Sequence, residues 1–201
     1  IRNRAVTAED FEILAQEAAT SVARARCIQP EPGNGQQAGT VRVLLVPQAT
    51  AVEHRIQPEQ LQIPKSLEEE VRRYLDERRL LTTALSVEAP RYIWVSAQVH
   101  VEVSPHLDAV SVAETIERRL YRFLNPLHGG PDGEGWPFGR DLFIADVYAL
   151  VDGVEGVEYV ADAKIYPVNL AAGQVGDHVT RLNIPPEGLV CSYRHLVVPH
   201  D

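Results

Sequence analysis

The sequence predicts an α+β fold. It reads as two small α+β units with antiparallel or mixed sheets and helices packed on them, plus a short strand-rich C-terminal tail. Three observations carry this. Hydroxyl-plus-acid signatures of helix starts recur along the chain, each followed by apolar residues at helical spacing. Between them lie stretches that alternate apolar and polar residues with the period of two of a half-buried strand. The order is also loosely parallel: residues 7–90 give helix, two strands, helix and strand, and residues 91–169 give strand, helix, helix and strand. No residue-level repeat accompanies this parallel, so two units are read and not a duplication. The expected division is residues 1–90, 91–169 and a C-terminal extension, 170–201.

Thr7 and Asp10 predict the first helix start, and Phe11, Leu14, Ala15 and Ala18 follow on one face. In SVARARCIQP the alternation predicts a strand with Arg24 and Arg26 outward, and TVRVLLVP predicts its hairpin partner. EPGNGQQAG between them reads as a turn or mobile loop. The proline-interrupted PQATAVEHRIQPEQLQIP is expected to be loose. Ser66 and Glu69 predict a second capping box and a helix to about Arg79, with Leu67, Val71, Tyr74 and Leu75 inward. LLTTALSVEAP returns as a strand ending at Pro90.

RYIWVSAQVHVEVSP is the clearest strand. Ile93, Val95, Ala97, Val99, Val101 and Val103 form the expected buried face, opposite Trp94, Ser96, Gln98, His100 and Glu102. Its length implies a bend or more than one pairing partner. Ser111 and Glu114 predict a third capping box and a helix through Leu124, with Val112, Ile116, Leu120 and Phe123 inward. A helix from Asp141 to about Val151, capped by Asp141 and closed by Gly153, is expected after a glycine-rich loop. GVEYVADAKIYPV is a further strand, and HVTRLNIP and GLVCSYRHLVV are strand-like.

The 201 residues carry a formal net charge of −9, with 45% hydrophobic and 23% charged residues. With no polybasic stretch, nucleic-acid and membrane partners are not expected. The arginine pairs at 72–73, 78–79 and 118–119 read as solvated helix faces. No run of 18 apolar residues occurs. Cys27 and Cys191 are expected to be buried free thiols, since no Cys-x-x-Cys pair suggests zinc. The chain begins at Ile1 and contains no Met, so it reads as a piece of a longer polypeptide.

HGGPDGEGWPFGRD, residues 128–141, is the candidate for chemistry because glycine-rich loops can cradle phosphate. Gly130 and Gly135 have Walker spacing, but Trp136 stands where Lys is needed and Pro137 where a hydroxyl is needed. Phe138 replaces the third glycine of a dinucleotide loop. Asp132 and Glu134 alternate as calcium ligands do, but the closing Glu is absent. The seven histidines (54, 100, 106, 128, 178, 195 and 200) include no helical i, i+4 pair. His106 and Asp108 read as turn residues, and His100 as a surface or interface histidine. No catalytic, cofactor-binding or metal-binding residue is assigned, and no cofactor is expected. The loop's expected role is structural: Trp136, Pro137, Phe138, Gly139, Arg140 and Asp141 form a proline-restrained aromatic turn that anchors on its own domain or on a partner. Trp94 is a further interaction candidate.

RAVTAEDFEILAQEA and, more specifically, LNPLHGGPDGEGWPFGRDLFIADVYALVDGVEGVEYV resemble the J-type baseplate wedge family. That family belongs to contractile-tailed phages and phage-tail-like contractile injection systems and includes their baseplate assembly proteins. YIWVSAQVHVEV and VAETIERRLYRFLNPL fit the same order, so the resemblance covers roughly residues 2–168. It implies a non-enzymatic wedge subunit that assembles in the bacterial cytoplasm into a phage tail or injection-system particle. The implied partners are other wedge proteins, further copies in a ring, and sheath or spike and hub components. Two alternatives remain at this point: a carbohydrate- or ligand-binding module using Trp94 and Trp136, and a hydrolase using Asp132, Glu134 and Asp141.

Overall fold

A computed structural model describes residues 3–30 and 39–200. The turn expected over 31–39 falls, apart from Gly39, outside the described residues. The chain forms helices and mixed or antiparallel sheets, as an α+β fold requires. It divides into two compact units, Ile1–Thr50 with Gln57–Arg91, and Ala51–Ile56 with Tyr92–Asp201.

In the first unit, α1 (Ala8–Ala18) starts on a capping box. Thr7 Oγ1 accepts from the Asp10 amide at 3.2 Å, and Asp10 Oδ2 accepts from the Thr7 amide at 2.9 Å. The hairpin β1 (Val22–Ile28) and β2 (Thr40–Pro47) is antiparallel, with a bulge between Val22 and Arg24. β3 (Ala84–Glu88) joins β2 in parallel, giving the order β1-β2-β3. A parallel pair needs a crossover. Here it is a 3-10 turn (Pro58–Leu61) followed by α2 (Lys65–Asp76). β2 is the central strand and is buried on both faces, so Leu44 and Val46 are as enclosed as Val43 and Leu45. Phe11, Leu14, Val71 and Leu75 complete that core from the helices.

Three expectations for residues 47–79 fail. The segment expected to be loose buries Ile56 and Leu61 at 2% exposure each. Ser66 is not a cap: α2 begins at Lys65 with Pro64 as N-cap, because proline's fixed φ suits a helix start and its missing N–H costs nothing there. The same helix ends at Asp76, short of Arg79.

The second unit is built on β4 (Arg91–Val103) and β6 (Val157–Asn169), paired antiparallel from Trp94–Val168 to Val103–Val157. The register shifts between His100 and Val101 and again between Glu102 and Val103, which is how so long a strand bends. On the other edge of β4 lie β9 (Gly188–Ser192) and β10 (Leu196–His200), the latter parallel to it. β7 (Gln174–Val175) extends the sheet beyond β6. Helices α3 (Ala109–Phe123) and α4 (Ile144–Asp152) pack on β10 and β6. Val95, Ala97, Val99 and Val101 are enclosed beneath them.

The expected faces of β4 hold with two exceptions. Trp94, on the polar face, is buried, whereas Ile93 is half-buried. The helix starts again differ from expectation. Asp108, not Ser111, caps α3, its carboxylate accepting from the Ser111 amide at 3.0 Å. Asp141 does not cap α4. Leu142–Phe143 instead form β5, paired with β8 (Arg181–Leu182), and α4 follows from Ile144.

Candidate functional site

The glycine-rich loop is tied to the end of α3 by backbone bonds. Phe123 O accepts from the Gly130 amide at 2.8 Å, and Asn125 O accepts from the amides of Gly129 (3.1 Å) and Trp136 (2.9 Å). The Gly133 and Gly135 amides donate to Gly130 and Gly129 carbonyls. These glycine N–H groups therefore face the protein and are not presented as a phosphate cradle. A side chain at Gly129 would sit 2.1 Å from Phe123 O and 2.6 Å from Asn125 O, so only glycine allows this approach.

Asn125, 1% exposed, organises the turn. Its Oδ1 accepts from the amides of Leu127 (2.8 Å) and His128 (3.0 Å), while its Nδ2 donates to Ala51 O at 3.0 Å. Nothing in LNPL marks it as a hub, because one partner lies 74 residues away.

The structure brings the Trp136–Asp141 residues together around one buried ring. Trp136 is fully enclosed, packs edge-on against Phe123 at 5.4 Å, and donates Nε1–H to Arg140 O at 2.9 Å. The Arg140 guanidinium lies 4.8 Å from the Trp136 ring centre and bonds Asp146 at 3.0 Å. Asp146 also accepts from the Phe143 amide at 2.9 Å, so one carboxylate fixes both the arginine and the start of α4. Pro137 O accepts from the Arg140 amide, closing the turn. At Gly139, φ is +71° and the amide donates to Gly188 O at 3.1 Å, docking the turn on β9. Phe138 is half-buried.

Asp141 lies just beyond. It accepts from Arg181 Nε at 2.9 Å and from the Ile184 amide at 2.8 Å. The Ile184 bond, then the arginine, hold its carboxyl below the usual carboxylate range. Trp94 is elsewhere, on the outer face of β4 beside Val168. At 8% and 0% exposure, Trp94 and Trp136 offer no open ring face on which a sugar could stack. A hollow beside the loop, about 480 Å³ and open, is lined by Glu53, Arg119, Arg122, His128 and Asp132 among others.

One pair has the spacing of a nucleophile and base and was not singled out in the sequence. His195 Nε2 lies 2.8 Å from Ser192 Oγ, with both residues buried. The wiring runs the wrong way for catalysis. His195 Nδ1 accepts from the Ala97 amide at 3.0 Å, so Nε2 bears the hydrogen and donates it to Ser192 Oγ. That hydroxyl in turn donates to Leu124 O at 3.0 Å. Burial pushes the His195 pKa down to about 3, keeping the ring neutral. The chain Ala97–His195–Ser192–Leu124 thus ties β4 and β9 to the end of α3. Among the described residues, no group of three or more His, Cys, Asp or Glu is placed to hold a metal ion, and no helix is long and apolar enough to cross a membrane.

No family model and no curated protein matches the chain. Among solved structures it is similar to a chain in the cryo-EM structure of the anti-feeding prophage (AFP) baseplate, 6-fold symmetrised. The TM-score is 0.60 at 14% identity, over 100% of this chain and 39% of that one. At this identity the likeness is one of fold, and the present chain spans about 39% of its neighbour's length.

Proposed function

We propose that the chain is a structural, non-enzymatic subunit of the baseplate of a contractile tail or contractile injection system. It acts by protein–protein contacts, as a J-type wedge component that joins other wedge proteins and further copies of itself in a ring around the tube and spike. The observation that carries this reading is a fold shared over the whole chain with a chain of a baseplate structure. The quoted WPFGRD block and its surroundings point the same way. The loop supports a scaffold role, since its glycine amides and its tryptophan are spent on internal bonds. Assembly of such a particle belongs in the bacterial cytoplasm.

The test is reconstitution. The full-length protein, co-expressed with the remaining baseplate subunits of its own gene cluster, is expected in a ring-shaped particle visible by electron microscopy. Particles that form normally without it would sink the proposal. We further propose that Trp136 and Phe138 anchor the loop. Replacing both with Ala is expected to lower stability by about 3 kcal/mol or more and to reduce ring yield. Unchanged urea unfolding together with unchanged ring yield would refute the anchoring role.

A further inference from the structure

The sheet of the second unit carries two histidines on the face of β4 opposite its enclosed valines, brought together from opposite ends of the unit. His100 lies on β4, and His200 lies on β10 opposite Glu102. Parallel pairing puts them on one face, two positions apart, with His100 Nδ1 3.2 Å from His200 Nε2. The rings are nearly parallel, at 16°, with centres 5.5 Å apart. His200 is exposed and His100 half-buried, so the pair is open to solvent.

The surroundings of His100 are organised. Tyr166 donates to Gln98 Oε1 at 3.2 Å, which leaves the Gln98 amide nitrogen as donor to His100 Nε2 at 3.3 Å. His100 Nδ1 therefore carries the hydrogen and donates it to His200 Nε2. Glu102 stands at the paired position of His200, and Asp162, ion-paired with Lys164 at 3.5 Å, at that of His100.

We propose that His100 and His200 form a binding site for a borderline divalent transition-metal cation of the Zn²⁺ class. Two imidazole nitrogens held at ~2.0–2.1 Å from one tetrahedral ion stand roughly 3.3 Å apart; His100 Nδ1 and His200 Nε2 are 3.2 Å apart along a hydrogen bond, and a rotation of the exposed His200 ring turns both lone pairs toward one ion. Gln98 and Tyr166 supply the outer hydrogen bonds that orient a ligating histidine. Binding exchanges the His100 tautomer. Nδ1 gives up its hydrogen and Nε2 carries one. The Gln98 amide turns over so that Oε1 accepts it, while its NH₂ donates to the Tyr166 hydroxyl oxygen. No proton is lost overall. Two protein nitrogens leave the other coordination positions to water, and imidazole donors favour Zn²⁺, Ni²⁺ or Cu²⁺ over Ca²⁺ and Mg²⁺.

Isothermal titration of the untagged chain with ZnCl₂ tests this. One ion per chain is expected, with no saturable binding of Ca²⁺ or Mg²⁺. His100→Ala and His200→Ala are each expected to abolish binding, and Gln98→Ala to weaken it about tenfold. Absence of saturable Zn²⁺ binding, or binding retained in both histidine variants, overturns the site and leaves the contact as a hydrogen bond between strands. Should a variant fail to fold, electron paramagnetic resonance of the Cu²⁺-loaded unaltered chain decides. Two coordinated imidazole nitrogens are expected, and none or one overturns the proposal.

Discussion

Asn125 shows how much can rest on one uncharged side chain. Three backbone groups depend on it, two in its own turn and one 74 residues away. Asn125→Ala leaves the Leu127 and His128 amides and the Ala51 carbonyl without that partner. A loss of about 3 kcal/mol is expected from the desolvation cost of groups left unpaired, measured by urea denaturation; a loss near zero would contradict the hub role. His195 makes a second residue-scale prediction. Its folded value of about 3 lies below the ordinary 6.5, so the unfolded chain binds a proton that the folded one does not. The stability this gives the folded state is complete above pH 6.5 and is lost as pH falls from there toward 3, by about 1.4 kcal/mol per unit at most. Tyr121, packed 4.6 Å from the ring, and Ser192 face it. His195→Gln is expected to flatten the decline between pH 7 and 5, and superimposable profiles for the two proteins would rule this out. Neither residue announced itself in the sequence. Each has one partner far along the chain, Ala51 for Asn125 and Ala97 for His195, whereas Trp136 and its neighbours stood out because proline, glycine and aromatics crowd one short stretch.

At the level of elements, periodicity located what it could. The helices and long strands were legible because each has one face enclosed, as in Phe11, Leu14 and Ala15 of α1 or Val95, Ala97 and Val99 of β4. Helix starts were less legible, since several residues near each boundary can act as a cap and tertiary contacts choose among them. Asp141 is the clear instance: its carboxylate suits a cap, but Arg181 and the Ile184 amide claim it. Pairing order was not legible either, because the parallel partnerships of β2 with β3 and β4 with β10 join segments with no local turn between them. The capping assignment of α3 can be checked directly. Asp108→Ala is expected to lower the thermal midpoint by roughly 3 °C, while Glu114→Ala leaves it unchanged. The reverse pattern would restore Ser111 as the cap.

On the scale of the whole molecule, each unit contains one buried, unpaired thiol: Cys27 in the first and Cys191 in the second. Burial raises the Cys27 pKa to about 12 and pushes that of Cys191 upward as well, so neither is present as the reactive thiolate near neutral pH. Ellman's reagent is expected to label neither in the native protein and both in concentrated urea. Prompt native labelling of either would show that its core is open. The two sites also allow each unit's unfolding to be timed separately, by replacing one cysteine with alanine and following the other.

The short excursion of Ala51–Ile56 has a further consequence. Six residues that precede α2 belong to the second unit, where Ala51 O holds Asn125 and Arg55 lies 4.3 Å from the centre of the Tyr193 ring. No single cut in the polypeptide separates the two units intact. A break before residue 51 carries part of the first unit away with the second, and a break at 91 robs the second of its Asn125 partner. Neither unit therefore corresponds to one contiguous stretch of the chain.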